Sequence, residues 1–105
     1  MKPPAGSLTL AAMPSVVLAG RITPRGRLFG PVGKFTVARR SAGRYSVRAR
    51  NSDLSVGRVV AVVISDEGTV ASYTGGRHRA EIHTVSAEDG SYVDAHVEFV
   101  LYRVA

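Results

Sequence analysis

Apolar and polar residues alternate strictly along two stretches of this 105-residue chain. Such alternation puts one side of a strand in a core and the other in water, so each stretch reads as half-buried antiparallel sheet. In the first, Phe35, Val37, Tyr45, Val47 and Ala49 fall on one side, and Lys34, Arg40, Arg44, Arg48 and Arg50 on the other. A three-residue loop, Ser41-Ala42-Gly43, keeps all five apolar residues on one face, whereas a two-residue loop would split them. It predicts a type I turn closing on a left-handed glycine, with Arg40 opposite Arg44, Val37 opposite Val47 and Phe35 opposite Ala49.

The second stretch runs from Arg79 to Phe99. A four-residue loop, residues 87–90, sets His83 opposite Asp94, Glu81 opposite His96 and Arg79 opposite Glu98. Ala80, Ile82, Val93, Ala95, Val97 and Phe99 then face inward. The rival two-residue turn at Asp89-Gly90 stacks Glu81 on Glu98 and His83 on His96, and directly opposed like charges are unfavourable.

Between these stretches, Val59 to Ile64 is an unbroken apolar run. It reads as a central strand buried on both faces, or buried between subunits on one. Val16 to Ile22 and Thr69 to Thr74 are further strands; Thr23 to Gly26, Gly30 to Gly33, and Asp66 to Gly68 are turns. No helical period stands out. The expected fold is all-β, an antiparallel β-sandwich or small barrel of six to eight short strands over residues 15–105. Its core would include Phe35, Val37, Tyr45, Val47, Val60, Val62, Ile64, Ile82, Val97, Phe99 and Leu101. Residues 1–14, with two early prolines and the apolar Leu8, Leu10 and Met13, read as an arm that docks on a neighbouring subunit.

A domain this small gains from association. Cys is absent, which removes disulfides, thiol chemistry and Cys-containing zinc sites. No apolar run approaches the roughly 18 residues of a membrane span. Residues 1–20 are not expected to be a signal peptide, because Pro3, Pro4 and Pro14 break the apolar region and Val16 to Leu18 belongs to a strand.

The formal charge of +6 favours acidic partners. Against this, 12 Arg beside 2 Lys, with abundant Ala, Val and Gly, is also what a GC-rich coding sequence produces. The five cations of the first hairpin nonetheless share a face, so an anionic glycan or an acidic neighbouring subunit is an expected contact there. Nucleic acid is not, because the aromatics point to the other face.

Candidate chemistry is sparse. His83 and His96 share a face with acidic residues in the expected register, but cross-strand charge pairing accounts for them without a metal. No Gly-x-Ser-x-Gly elbow or phosphate-binding loop occurs, and the carboxylates sit mostly at turn tips. Neither an enzyme nor a cofactor is expected.

Gly33 to Arg39 (G-K-F-T-V-A-R), Gly43 to Val47 (G-R-Y-S-V), Asp89-Gly90 and Val93 to Phe99 (V-D-A-H-V-E-F) resemble a small β-sandwich module. Such modules occur at the ends of phage tail fibres and of collagen-like phage or bacterial surface proteins. The resemblance spans roughly residues 16–102. It implies a homotrimer acting as a structural cap or receptor-binding tip. Only about 15 residues precede the body where that family has a long shaft, and Arg, Gly and acidic turns replace its aromatic sugar-binding loops. A virion component is therefore expected, as a capsid decoration or a tail-associated protein, with itself and neighbouring virion proteins as partners.

Overall fold

A computed structural model describes residues 15–104. The expected arm, with Leu8, Leu10 and Met13, lies outside the described residues. The body is all-β: β1 (Val16–Ile22), β2 (Leu28–Val32), β3 (Thr36–Ser41), β4 (Arg44–Arg48), β5 (Val59–Ser65), β6 (Thr69–Gly75), β7 (Arg79–Ser86) and β8 (Val97–Arg103). These form two antiparallel four-stranded sheets packed as a sandwich, one in the order β2-β1-β8-β5 and the other β3-β4-β7-β6.

In the β3–β4 hairpin Val37 lies opposite Val47, as the alternation requires. The tip differs from expectation. Ser41, not Arg40, pairs with Arg44, and the register shifts between Arg39 and Ser41, leaving Arg40 in a bulge. Gly43 takes the left-handed conformation, φ +65°. β2 is a second departure: Gly30 to Val32, read as a turn, continue the strand. Pro31 is tolerated because β2 lies at a sheet edge and pairs only with β1.

The largest correction concerns the second stretch. β7 and β8 are not a hairpin, because they belong to opposite sheets. The four-residue loop register holds at its mouth, where Val85 bridges Tyr92 and the Ser86 N–H donates to the Ser91 carbonyl at 2.8 Å. Beyond Val93 the chain crosses the sandwich, and β8 inserts between β1 and β5. The expected pairs His83–Asp94, Glu81–His96 and Arg79–Glu98 do not form; those β7 residues face Arg44, Ser46 and Arg48 on β4. A strand entering the facing sheet keeps the same inward residues, so alternation alone fits both arrangements.

The core is built from Leu18, Ile22, Tyr45, Val47, Leu54, Val59, Ile82, Val97, Phe99 and Leu101, with Ala49 and Ala80 where the sheets approach. Phe35 and Val37 pack at its margin. Val60, Val62 and Ile64, expected in the core, are on the outer face of β5, while Val59, Ala61 and Val63 point inward. Leu54, from a connecting loop, is fully buried instead.

The crossover is fastened to the β3–β4 tip. Asp94 accepts from Arg39 Nε at 3.0 and 3.1 Å and from the Gly43 N–H at 2.9 Å. The Tyr45 hydroxyl, on a fully buried ring, donates to the Pro24 carbonyl at 2.8 Å and accepts from the Ala95 N–H at 3.3 Å. Gly43 is hemmed in: a Cβ there would lie 2.3 Å from the Thr84 carbonyl oxygen and 2.9 Å from Val93 backbone atoms. Gly90 has a similar φ, +73°, but open space around it.

This contrast predicts different costs for one substitution. Gly90→Ala should cost about 1 kcal/mol, the strain of a left-handed non-glycine residue. Gly43→Ala should cost at least about 3 kcal/mol, because backbone must also move. Urea denaturation of both variants measures the difference, and equal midpoints would remove Gly43 from the crossover contact.

Candidate functional site

The two outer faces of the sandwich differ in chemistry. On the β3-β4-β7-β6 sheet the face is polar: Arg44 lies beside His83, Ser46 beside Glu81 and Arg48 beside Arg79 across the β4–β7 pair. The last is a direct like-charge opposition on neighbouring strands, which costs stability. On the β2-β1-β8-β5 sheet the face is apolar. Its strand pairings bring Val60 beside Tyr102, Val62 beside Val100 and Ala19 beside both Val100 and Val32. Phe29 completes it on β2, across from Arg21. Val60, Val62 and Ile64 are 50%, 47% and 61% exposed, and Phe29 and Val32 about half. Its charges include Arg21 and Glu98, paired at 3.5 Å.

This apolar face arises because β5 lacks polar residues at its outward positions. Six consecutive apolar residues mask the alternation in sequence, and only the burial pattern reveals which half faces out. One clue was present. Arg21 and Glu98 are the polar residues that interrupt otherwise apolar outward positions of β1 and β8.

The five cations expected to share a face divide into two groups. Lys34, Arg48 and Arg50 line a cleft together with Arg77, His78 and Arg79. Arg40 sits in the bulge at the hairpin tip, and the Arg44 guanidinium lies 4.5 Å above the Tyr92 ring, a cation–π contact. Two aromatics therefore reach the cationic side, contrary to expectation: Tyr92 under Arg44, and Phe35 in the cleft. Arg77 and His78 come from the loop between β6 and β7, which the sequence marks as a loop without marking it as part of a site.

The histidines do not converge. His83 Nε2 is 3.3 Å from Glu81 Oε1, with Tyr92 edge-on to its ring. His96 is held by Asp66, through its N–H at 2.8 Å and its ring at 3.2 Å, and His78 Nδ1 lies 3.2 Å from the Ser52 carbonyl. Among the described residues no three His, Cys, Asp or Glu side chains are placed to share a metal, and no helix is long and apolar enough to cross a membrane.

The described aspartates, with Glu81 and Glu98, are engaged by structural partners. Asp53 accepts from the Ser55 N–H and hydroxyl, and Asp89 accepts likewise from Ser91. Side-chain hydrogen bonds from those serines hold both carboxyls below the usual range. Burial pushes the Tyr73 phenol up to about 12, so it stays a donor, and it bonds the Leu54 carbonyl at 2.6 Å. In comparisons with known proteins, the chain matches no family model, no curated protein and no solved structure.

Asp94 shares in the response to acid with Asp53, Asp66 and Asp89. Arg39's hydrogen bond, then the Gly43 N–H, hold its carboxyl below the ordinary value. A carboxyl depressed in the folded state contributes stability above its unfolded pKa and loses that contribution as pH falls through the folded one. Wild-type thermal stability should therefore fall below about pH 4, and the fall should be shallower in Asp94→Asn. Parallel melting curves across that range would show that Asp94 carries no such linkage.

Proposed function

We propose that this chain is a non-enzymatic structural protein that assembles with copies of itself, as a capsid decoration or tail-associated component of a phage-like particle. The observation that supports this reading is the apolar outer face of the β2-β1-β8-β5 sheet. Strand spacing and rise give a four-stranded face of this length a plan area on the order of 450 Å². That is a little over half of the roughly 800 Å² per partner of a standard interface, so flanking residues would share the contact. An apolar patch of this size is often an interaction site.

A second copy suits the face better than an unrelated acidic or basic partner. Its central charges, Arg21 and Glu98, are already paired with each other, and Arg27 over the Phe29 ring and Asp66 beside Ile64 lie at its margin, so the face offers little unbalanced charge to select a foreign surface. The row from Val32 through Ala19 and Val100 to Val62 is apolar from edge to edge, and Arg21 and Glu98 interrupt the row from Phe29 to Ile64. In a ring of three, one half of each face would meet the other half of its neighbour's face. That arrangement fits the trimer implied by the resemblance to fibre-tip modules. The non-enzymatic part of the reading draws on the engaged carboxylates and dispersed histidines among the described residues.

The mass of the purified full chain by light scattering tests assembly. A trimer of about three times 11.1 kDa is expected, with Val62→Lys reducing it to a monomer that keeps its β-sheet circular dichroism. A wild-type monomer at high concentration would overturn self-assembly. Mass spectrometry of purified particles carrying the gene tests placement, and absence of the chain from them would overturn the virion assignment alone.

A further inference from the structure

The cleft at the end of the polar sheet has a volume of about 1040 Å³, in the range of small-molecule and oligomer sites. Five cations line it: Lys34, Arg48, Arg50, Arg77 and Arg79. No carboxylate does, among the described residues. Asp53 is within electrostatic reach of Arg77 but does not line the cleft and is held by Ser55. Pro31, Phe35 and Ala49 give the cleft apolar surface between the charges.

The wall is fixed by the backbone. The Ala49 N–H donates to the His78 carbonyl at 2.9 Å, and the Leu54 N–H to the Arg77 carbonyl at 3.0 Å. The Gly76 N–H closes a turn onto the Arg79 carbonyl at 2.7 Å. Gly75 permits this approach, since a Cβ there would fall 1.9 Å from the Leu54 carbonyl oxygen. The loop carrying Arg77 and His78 is thus tied to the loop after β4. A pair of arginines, Arg48 and Arg79, stands side by side on adjacent strands at this cleft, and an anion between or above them would relieve their mutual repulsion.

We infer that this cleft binds a linear acidic oligosaccharide, with sulfate or carboxylate groups paired to the arginines and a sugar ring against Phe35. Guanidinium forks match the planar, two-oxygen edge of such groups. A nucleic acid strand fits less well. Single-strand sites use successive open aromatic platforms, whereas Phe35 is the one aromatic in the lining and Tyr92 is already covered by Arg44. This site does not depend on self-assembly, and the apolar residues proposed to bury between copies do not line it.

The test is fluorescence anisotropy of the full chain with a labelled, sulfated heparin-type hexasaccharide. A labelled oligothymidylate and a labelled polyglutamate peptide serve as competing classes of anion. Two variants lose the same charge: Arg50→Ser with Arg77→Ser inside the cleft, and Arg40→Ser with Arg44→Ser outside it. The hexasaccharide should bind more tightly than either competitor and weaken as salt rises. The cleft variant should lose at least about tenfold in affinity while the outside variant stays within about twofold. Urea midpoints of both variants confirm folding, and Arg50→Lys with Arg77→Lys, which keeps charge but loses the fork, should recover only part of the affinity. Equal losses in the two Ser variants would reduce the effect to net charge. Absence of hexasaccharide binding, or tighter binding of oligothymidylate or polyglutamate, would overturn the inference.

Discussion

Gly43 and Asp94 hold the point on which the two-sheet arrangement turns. Strand β8 reaches the facing sheet only because the chain leaves β7 after a short bridge and crosses over the β3–β4 tip. At that crossing the Thr84 N–H donates to the Gly43 carbonyl at 2.8 Å, and the Thr84 hydroxyl to the Val93 carbonyl at 2.6 Å. Asp94 then closes the corner by taking the Gly43 N–H and the Arg39 guanidinium together. Tyr45 ties the same corner to Pro24, which follows β1. Without that set of bonds, the polar backbone groups of Gly43, Thr84 and Ala95, buried at the crossing, would lose partners. Its position, in turn, places β8 in the centre of its sheet and so creates the apolar outer face.

How far these features were legible in the sequence depended on what each pattern could distinguish. The β3–β4 register followed from alternation because only one loop length kept Phe35, Val37, Tyr45, Val47 and Ala49 together. The strands β1, β5, β6 and β7 were equally accessible from apolar runs bounded by turn residues. The partner of β8 was not, because inward residues are the same whether a strand pairs with β7 or faces it across the core. The complementary pairs expected between them, His83 with Asp94 and Glu81 with His96, satisfied charge matching without being neighbours. Pro31 concealed a strand for a different reason: an edge position tolerates what a central one does not.

For the candidate sites, the difficulty was one of joining distant segments. Lys34, Arg48 and Arg50 were visible as cations on one hairpin. Arg77 and His78 join them only through backbone bonds from residues 49 and 54 to a loop more than twenty positions away, for which no local signal exists. The apolar face was half legible. Six consecutive apolar residues in β5 allowed burial on both sides of the strand or contact between subunits. The single-chain fold removes the first option and leaves one side of β5 open.

Pro31 also bears on how copies of this chain can meet. A sheet edge with a regular row of N–H and C=O groups is a template for adding further strands. Strand β2 lacks one N–H at Pro31 and is kinked where Gly30 adopts φ +56°. A ladder growing from that side would be interrupted within a few residues. Contact through the broad apolar face needs no free backbone groups and is untouched by that interruption. One proline in an outer strand thus guards one of the two open edges of its sheet and leaves β5 as the other.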